Sequence, residues 1–396
     1  MIANPMNPAV PEVGLEPTRH CWQRILSPPR LPFRHSGIEC IVSEKAYGFR
    51  SAFASLTRHH QPRHRSRFPR RLSRDRCGTG RGQLPTIVAA CLSAPAVIPE
   101  ARDVSILSRY QPGRLGLSFE LFPPKSAESE GAMWRSVDDL MAYDPTLITC
   151  TYGAGGSTRS KTLEILAGLR QRHAVAVASH LTCVGSTVDE LRSYLREAVA
   201  VGVTAIVALR GDPPQGETAF QPVDGGLSYA SELVALIRAE FPQLGILVAG
   251  YPETHQEALS PQADLENLKR KCDAGGDVVV TQLFYDNADF LRFRDLCARM
   301  RITAPIVPGI MPVTNFAQIR RIASLCGARL PESFTRAFEA AGDDEAAQFE
   351  AGVTFAARQV EELVAAGVPG IHFYVLNRSP ATIRVLKEAG LAGRKS

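Results

Sequence analysis

From residue 115 onward the chain alternates, eight times over, between short β-rich apolar runs and helical stretches. The runs fall near 115–120, 146–151, 174–181, 203–209, 245–251, 277–284, 304–308 and 370–375. Helices are predicted between them over 130–142, 157–171, 187–201, 229–240, 261–274 and 288–300, with two or three more (314–326, 331–341, 343–366) in the last gap. Thr187 and Glu190, three apart, form a capping-box pattern that starts the third helix. Strands separated by helices imply a parallel sheet with helical crossovers. Eight such units in about 280 residues predict an α/β fold, a (β/α)8 TIM-type barrel. A doubly wound sheet is the alternative, but no GxGxxG follows any strand, so a Rossmann dinucleotide site has no support.

The first hundred residues are a different kind of chain. Residues 1–110 hold 17 Lys and Arg against 7 Asp and Glu, whereas the remainder holds 28 against 33. The stretch RHHQPRHRSRFPRRLSRDR (58–76) has no helical or strand period, and such a composition does not build a packed core. The expected organisation is a basic, low-order extension over 1–104 and a barrel over 105–396. Three readings of the extension stand side by side: a nucleic-acid arm, a targeting segment, or a mis-assigned start. For the last, 13–37 resembles the conceptual translation of a tRNA gene. The nine cysteines form no CxxC pair and no Cys/His cluster with zinc spacing, so neither a metal site nor a disulfide framework is expected and the thiols read as reduced. No apolar run is long enough to cross a membrane, and a cytoplasmic protein is expected.

In a barrel, active groups sit where strands end, because those loops share one mouth. The first run, LSFELFPPK (117–125), ends in Glu120 and is then stopped by Pro123 and Pro124, which cannot donate to a ladder. A lone acid at the end of a buried strand, beside aromatic rings, is a plausible proton donor with a raised pKa; the plain alternative is a surface glutamate. The other runs end in Thr151-Tyr152-Gly153-Ala154, in His180, in Arg210-Gly211-Asp212, in Tyr251 through His255, in Gln282, in Pro308-Gly309 and in Asn377-Arg378. In the helix after the fifth run, Asp264, Asn267 and Lys271 share one face; this is either a solvated polar face or one that approaches the mouth.

Taken together, SFELFPPK (118–125), TYGAGGSTR (151–159), SHLTCVG (179–185), IVALRGDPP (206–214), AGYPETH (249–255), DLENLKRKCDAGGDVVVTQLFYD (264–286), PGIMPV (308–313) and HFYVLNR (372–378) resemble the methylenetetrahydrofolate reductase family. The resemblance implies a (β/α)8 barrel that binds FAD at its strand ends and reduces 5,10-methylenetetrahydrofolate with electrons from NAD(P)H in ping-pong fashion. It implies that Glu120 is the general acid to N10, which opens the ring to an iminium, and that Asp212 tunes the flavin and pterin. The implied flavin set is Thr151, Tyr152, Ala154, His180, Arg210, Gly211, Asp212, Ala230, Tyr251, His255, Asp264, Asn267, Arg270 and Lys271. The implied folate set is Asp212, Gln282, Gln318 and Arg378; a glutamine has the donors and acceptor that a pterin edge needs, and an arginine suits a glutamyl carboxylate. A homo-oligomer is expected, with no membrane or nucleic-acid partner. The chain ends soon after the eighth run, so the regulatory C-terminal domain of eukaryotic relatives, and inhibition through it, are not expected. The competing functions are a flavin-free barrel enzyme, such as an aldolase or a pterin methyltransferase, and a nucleic-acid binder acting through 19–81. An aldolase would need a Schiff-base lysine at a strand end, and none is present.

Overall fold

The computed structural model describes residues 106–391 except 112, 152–157 and 214–218. Tyr152, Ala154 and the whole 1–104 extension therefore lie outside the described residues.

Nine strands form one parallel sheet: β1 (Gly116–Leu121), β2 (Leu147–Cys150), β3 (Val177–Thr182), β4 (Ala205–Leu209), β5 (Gly245–Gly250), β6 (Val278–Thr281), β7 (Ile306–Val307), β8 (Gly309–Ile310) and β9 (Gly370–Tyr374). Consecutive strands pair from β1 to β7, β9 pairs with β1, and β8 pairs with β9, giving the order β7-β6-β5-β4-β3-β2-β1-β9-β8. Helices alternate with them: α1 (Ala127–Met141), α2 (Arg159–His173), α3 (Val188–Ala200), α4 (Ala230–Glu240), α5 (Pro261–Asp273), α6 (Asn287–Arg299), α7 (Phe316–Cys326), α8 (Glu332–Ala341), α9 (Glu345–Ala365) and α10 (Ser379–Glu388). This is the TIM-type α/β barrel, with one departure. The run expected at 304–308 is two dipeptide strands split by Pro308, because proline has no N–H to offer the ladder. Ile306 and Val307 pair with β6, His372 N donates to Pro308 O at 2.9 Å, and Gly309 and Ile310 pair with β9. The two short strands thus occupy the seventh position together.

The period of two along each strand divides the core into two. Phe119, Ile148, Ile206, Ile246, Val279, Ile371 and Phe373 point outward into the layer shared with the helices. Leu147, Ala178, Ala205, Val207, Leu247, Val278, Val280 and Val307 fill the lumen. A 3₁₀ turn (Ile106–Arg109) and the residue after it supply Ile106 and Tyr110 to that same inner cluster. Two small strand residues leave room for them: a Cβ on Gly245 would come within 2.6 Å of Ile106, and one on Gly116 within 2.8 Å of Tyr110. The N-terminal end of the barrel is therefore plugged with apolar side chains.

The helix starts are set by local chemistry. The predicted capping box is present: Glu190 N donates to Thr187 Oγ1 at 3.3 Å and Thr187 N to Glu190 Oε2 at 2.8 Å, an arrangement worth about 1 kcal/mol. A separate aromatic cluster, including Tyr285, Phe334 and Phe338, packs under α7 and α8 and fixes them beside the ends of β6 and β8. Cys150, Cys183, Cys272 and Cys297 are free thiols, as expected; Cys326, at the end of α7, is disulfide-bonded instead. Among the described residues no helix is long and apolar enough to cross a membrane.

Candidate active site

The lumen changes character toward the C-terminal ends of the strands. Above the aliphatic layer, the inward positions carry Glu120, Thr149, His180, Gln282, His372 and Tyr374, which with Leu209 and Tyr251 line one cavity. Each is two or four residues on from an inward aliphatic or small residue on its own strand, so the pleat alone delivers them. Apolar walls and a few convergent polar groups are what a small-molecule site requires.

Glu120 sits at the centre of the polar groups and is buried. Its Oε2 lies 3.1 Å from His180 Nε2 and 3.6 Å from His372 Nε2. His372 is held from behind, since its Nδ1 shares a 2.9 Å hydrogen bond with Ser118 Oγ. With the hydroxyl donating, the ring keeps its hydrogen on Nε2, the atom that faces Glu120. Burial alone would raise the Glu120 carboxyl, but the charges and hydrogen bonds of His180 and His372 outweigh it and hold the carboxyl down at about 2. The raised pKa expected from the sequence is therefore overturned: the acid is apolar-walled, but the histidines beside it come from β3 and β9 and cannot be seen from its own strand. Thr149 is the neighbour of Glu120 in register on β2. Its Oγ1 is buried without a hydrogen-bond partner, which leaves it open to a ligand.

A second, cationic group lies at the ends of β4 and β5. Arg210 is fully buried. Its Nη2 bonds Glu257 Oε2 at 2.9 Å and its Nε donates to Gly211 O at 3.3 Å, while Nη1 is buried with no partner. Gly211 has φ 98°, and a Cβ there would fall 2.5 Å from Val184, so only glycine makes this turn. Asp212 follows it and is buried. Burial, then the charges of Arg210 and Lys271, hold the His255 imidazole down at about 3. His255 is thus a neutral ring, with Nδ1 accepting from Glu257 N at 3.0 Å and its plane at 67° to the Tyr251 ring, centroids 5.1 Å apart.

The polar face of α5 is not solvated. Asp264, Asn267 and Lys271 are all buried. Asp264 Oδ2 accepts from His255 N at 3.0 Å, and Lys271 Nζ donates to Ala249 O at 2.9 Å. Arg270 is exposed beside them and bonds Asn267 Oδ1. Thr151 is buried, its carbonyl accepting from Thr162 Oγ1 at 2.9 Å. Ala230 is the buried first residue of α4. Of the expected folate residues, Gln282 lines the cavity, with its Oε1 accepting from Leu283 N at 2.9 Å. Gln318 and Arg378 do not line it: Gln318 is exposed in the first turn of α7, and Arg378 is exposed in a separate groove with Arg135 and Asn377. Thr149, His372 and Ser118 are additions that the strand alternation around Glu120, Cys150 and Phe373 could have supplied.

Would the cationic group suit an anionic cofactor such as FAD? Three observations say that it would. An arginine N–H is buried without a partner, a lysine and an arginine act on a neighbouring histidine, and a glycine turn brings backbone close; these are the donors and charges that an anionic group would need. Among the described residues no group of three His, Cys, Asp or Glu is placed to hold a metal ion.

The methylenetetrahydrofolate reductase family model matches residues 106–390. The chain is 40% identical over 279 residues to 5,10-methylenetetrahydrofolate reductase of Escherichia coli (strain K12), covering 70% of this chain and 92% of that one. It is 38% identical over 296 residues to methylenetetrahydrofolate reductase (NADH) 1 of Arabidopsis thaliana, covering 72% of this chain and 50% of that one. Among solved structures, an uncharacterized Clostridium thermocellum protein that binds 5-methyl-5,6,7,8-tetrahydrofolic acid aligns with a TM-score of 0.47 and 16% identity over 72% of this chain and 95% of that one, a likeness too distant to bear on function.

Proposed function

The chain belongs to the methylenetetrahydrofolate reductase family, and from that premise we propose that it reduces 5,10-methylenetetrahydrofolate to 5-methyltetrahydrofolate, with FAD as its cofactor and NAD(P)H as donor. The observation that carries the reading is the buried Glu120, paired with His180 at 3.1 Å in a cavity that also holds Gln282.

The substrate's five-membered ring opens when N10 is protonated, leaving an electrophilic methylene iminium on N5. Glu120 is the group to deliver that proton. In the free protein it is ionised, so it must first acquire one, and His180, 3.1 Å away, stands within reach to supply it. Burial is already the largest single influence on this carboxyl, and it pushes toward the neutral acid. A bound pterin displaces water and strengthens that push. Proton transfer from imidazolium to carboxylate then leaves two neutral groups, which the drier cavity favours. Gln282, with its carbonyl oxygen engaged by Leu283 N, offers its NH₂ to the pterin edge. Arg210, His255, Asn267 and Lys271 would hold FAD, which supplies the hydride chemistry that no side chain can. Arg210, rigid through Glu257, would fix the diphosphate. NAD(P)H and folate would use the same open side of the cavity in turn.

The test is a pair of half-reactions on Glu120→Gln. Loss of a general acid costs roughly 10²–10⁴-fold in the step it serves, so folate reduction should fall by that much while NAD(P)H-driven flavin reduction stays within a few-fold. Equal loss of both, or a wild-type protein that is colourless and takes up no FAD, would overturn the reading.

A further inference from the structure

The β5–α5 loop carries Tyr251 and His255, and besides its bonds to Asp264 and Arg210 it is held by contacts outside the cavity. Thr254, between them, has φ 74°. A β-branched residue is rarely found in the left-handed region, and such strain persists only where surroundings over-determine it. Two anchors flank it. On one side Glu253 Oε1 accepts from Arg329 N at 2.9 Å. Arg329 follows α7, and its guanidinium bonds Asp286 Oδ2 at 3.0 Å and Asp289 Oδ2 at 2.8 Å, at the start of α6. On the other side Gln256 Nε2 donates to Ser324 O in α7 at 3.1 Å, and a Cβ on Gly327 would strike Gln256 at 2.8 Å. Both anchors therefore fasten the same loop to the α7–α8 corner.

We propose that Glu253 is a positioning residue: its bond to Arg329 holds the strained Thr254 turn, and so sets where the cavity wall bearing Tyr251 stands relative to α7. It touches no reacting atom. Its effect should fall on how well the mouth fits the folate and leave the chemistry unchanged. The inference rests on the reading of the substrate given above. The charged and titratable groups that face Glu253 are Arg329, Asp286 and Asp289, with Tyr285 beneath.

The role makes demands that a general packing role does not. Glu253→Ala should raise KM for methylenetetrahydrofolate roughly tenfold with kcat within about threefold, the pattern of lost uniform binding. Glu253→Gln keeps an oxygen for the Arg329 N–H and should restore KM. In a Thr254→Gly background, where the turn needs no outside hold, the penalty of Glu253→Ala should shrink. Backbone amides of 251–257 should exchange hydrogen faster in Glu253→Ala and return to the wild-type rate in Glu253→Gln. The exchange experiment needs no catalysis, so it decides the inference even if the wild-type protein reduces no folate, a result that would sink only the functional reading. Unchanged exchange in Glu253→Ala, a Gln variant no better than Ala, or a loss confined to kcat would each overturn it.

Discussion

Glu120 and His180 hold Oε2 and Nε2 3.1 Å apart inside the barrel, and the histidine keeps the carboxyl ionised against the pull of its own burial. A buried acid with two imidazoles in reach is a proton store whose occupant can move as the cavity dries. On the proposed reading the free and ligand-bound protonation states differ, and in the free protein the pairing gives acid stability a specific form.

The Glu120 carboxyl is lowered from 4.5 to about 2 on folding. A depressed carboxyl stabilises the fold above the unfolded value, and that stability is lost as pH falls through the folded one. Wild-type protein should therefore lose stability between about pH 4.5 and 2, by on the order of 3 kcal/mol at most. Glu120→Gln should flatten this window in an acid-unfolding series; an unchanged slope would mean that the pair contributes nothing to the fold.

Glu253 has the opposite sign. Burial, against the Arg329 N–H and helped by Asp289, lifts its carboxyl from 4.5 to about 7. Its contribution is present in full below about pH 4.5 and disappears as pH rises through 7. Calorimetric Tm values should show Glu253→Gln more stable than wild type at pH 8 and level with it, or below, at pH 4.5. The reverse order would show that the ionised form is the one the loop prefers.

Thr149 Oγ1 is buried and unpartnered, so Thr149→Val breaks no bond in the free protein. Stability should be unchanged or slightly raised. If the hydroxyl meets the ligand, substrate affinity should fall about tenfold, the worth of one hydrogen bond of roughly 1.4 kcal/mol. Calorimetric titration with the folate product would separate the two effects, and lost stability with intact affinity would refute the assignment.

Arg210→Met removes a charge that depresses His255. The imidazole should titrate closer to its ordinary value, which nuclear magnetic resonance can follow on the ring protons. Flavin retained after desalting should drop by about tenfold or more, since a buried charge-assisted contact is worth roughly 1.5–3 kcal/mol. A His255 titration that does not move would place Arg210 away from it in solution.

Much of this architecture was legible in the sequence. Alternating runs gave the strands to within about three residues, apart from the split seventh one, and the C-terminal-end rule brought Glu120, His180, Tyr251 and Gln282 to one cavity. The polar face of α5 was ambiguous on its own helix, because nothing local says that His255 and Ala249 will bond Asp264 and Lys271. The Glu120 pKa was misjudged for the same reason: its partners come from β3 and β9, some 60 and 250 positions away. Tertiary neighbours decide charge states, and a strand read singly shows only its own burial. Gln318 and Arg378 illustrate the converse, since the family resemblance implies them but their side chains stand clear of the central cavity.

Pro308 has one more effect. Because it brings no amide hydrogen, the seventh stave of the cylinder is stitched by two dipeptides, with Gly309 N reaching sideways to Thr281 Oγ1 at 2.9 Å and Tyr374 OH to Thr281 O at 2.7 Å as extra rivets. A closed cylinder gives way where its rungs are fewest. Chaotropes should therefore unzip it along this seam first, between Thr281 and Tyr374. Since Gln282 and Tyr374 border the gap, the lumen should shed its occupant well before the other staves part.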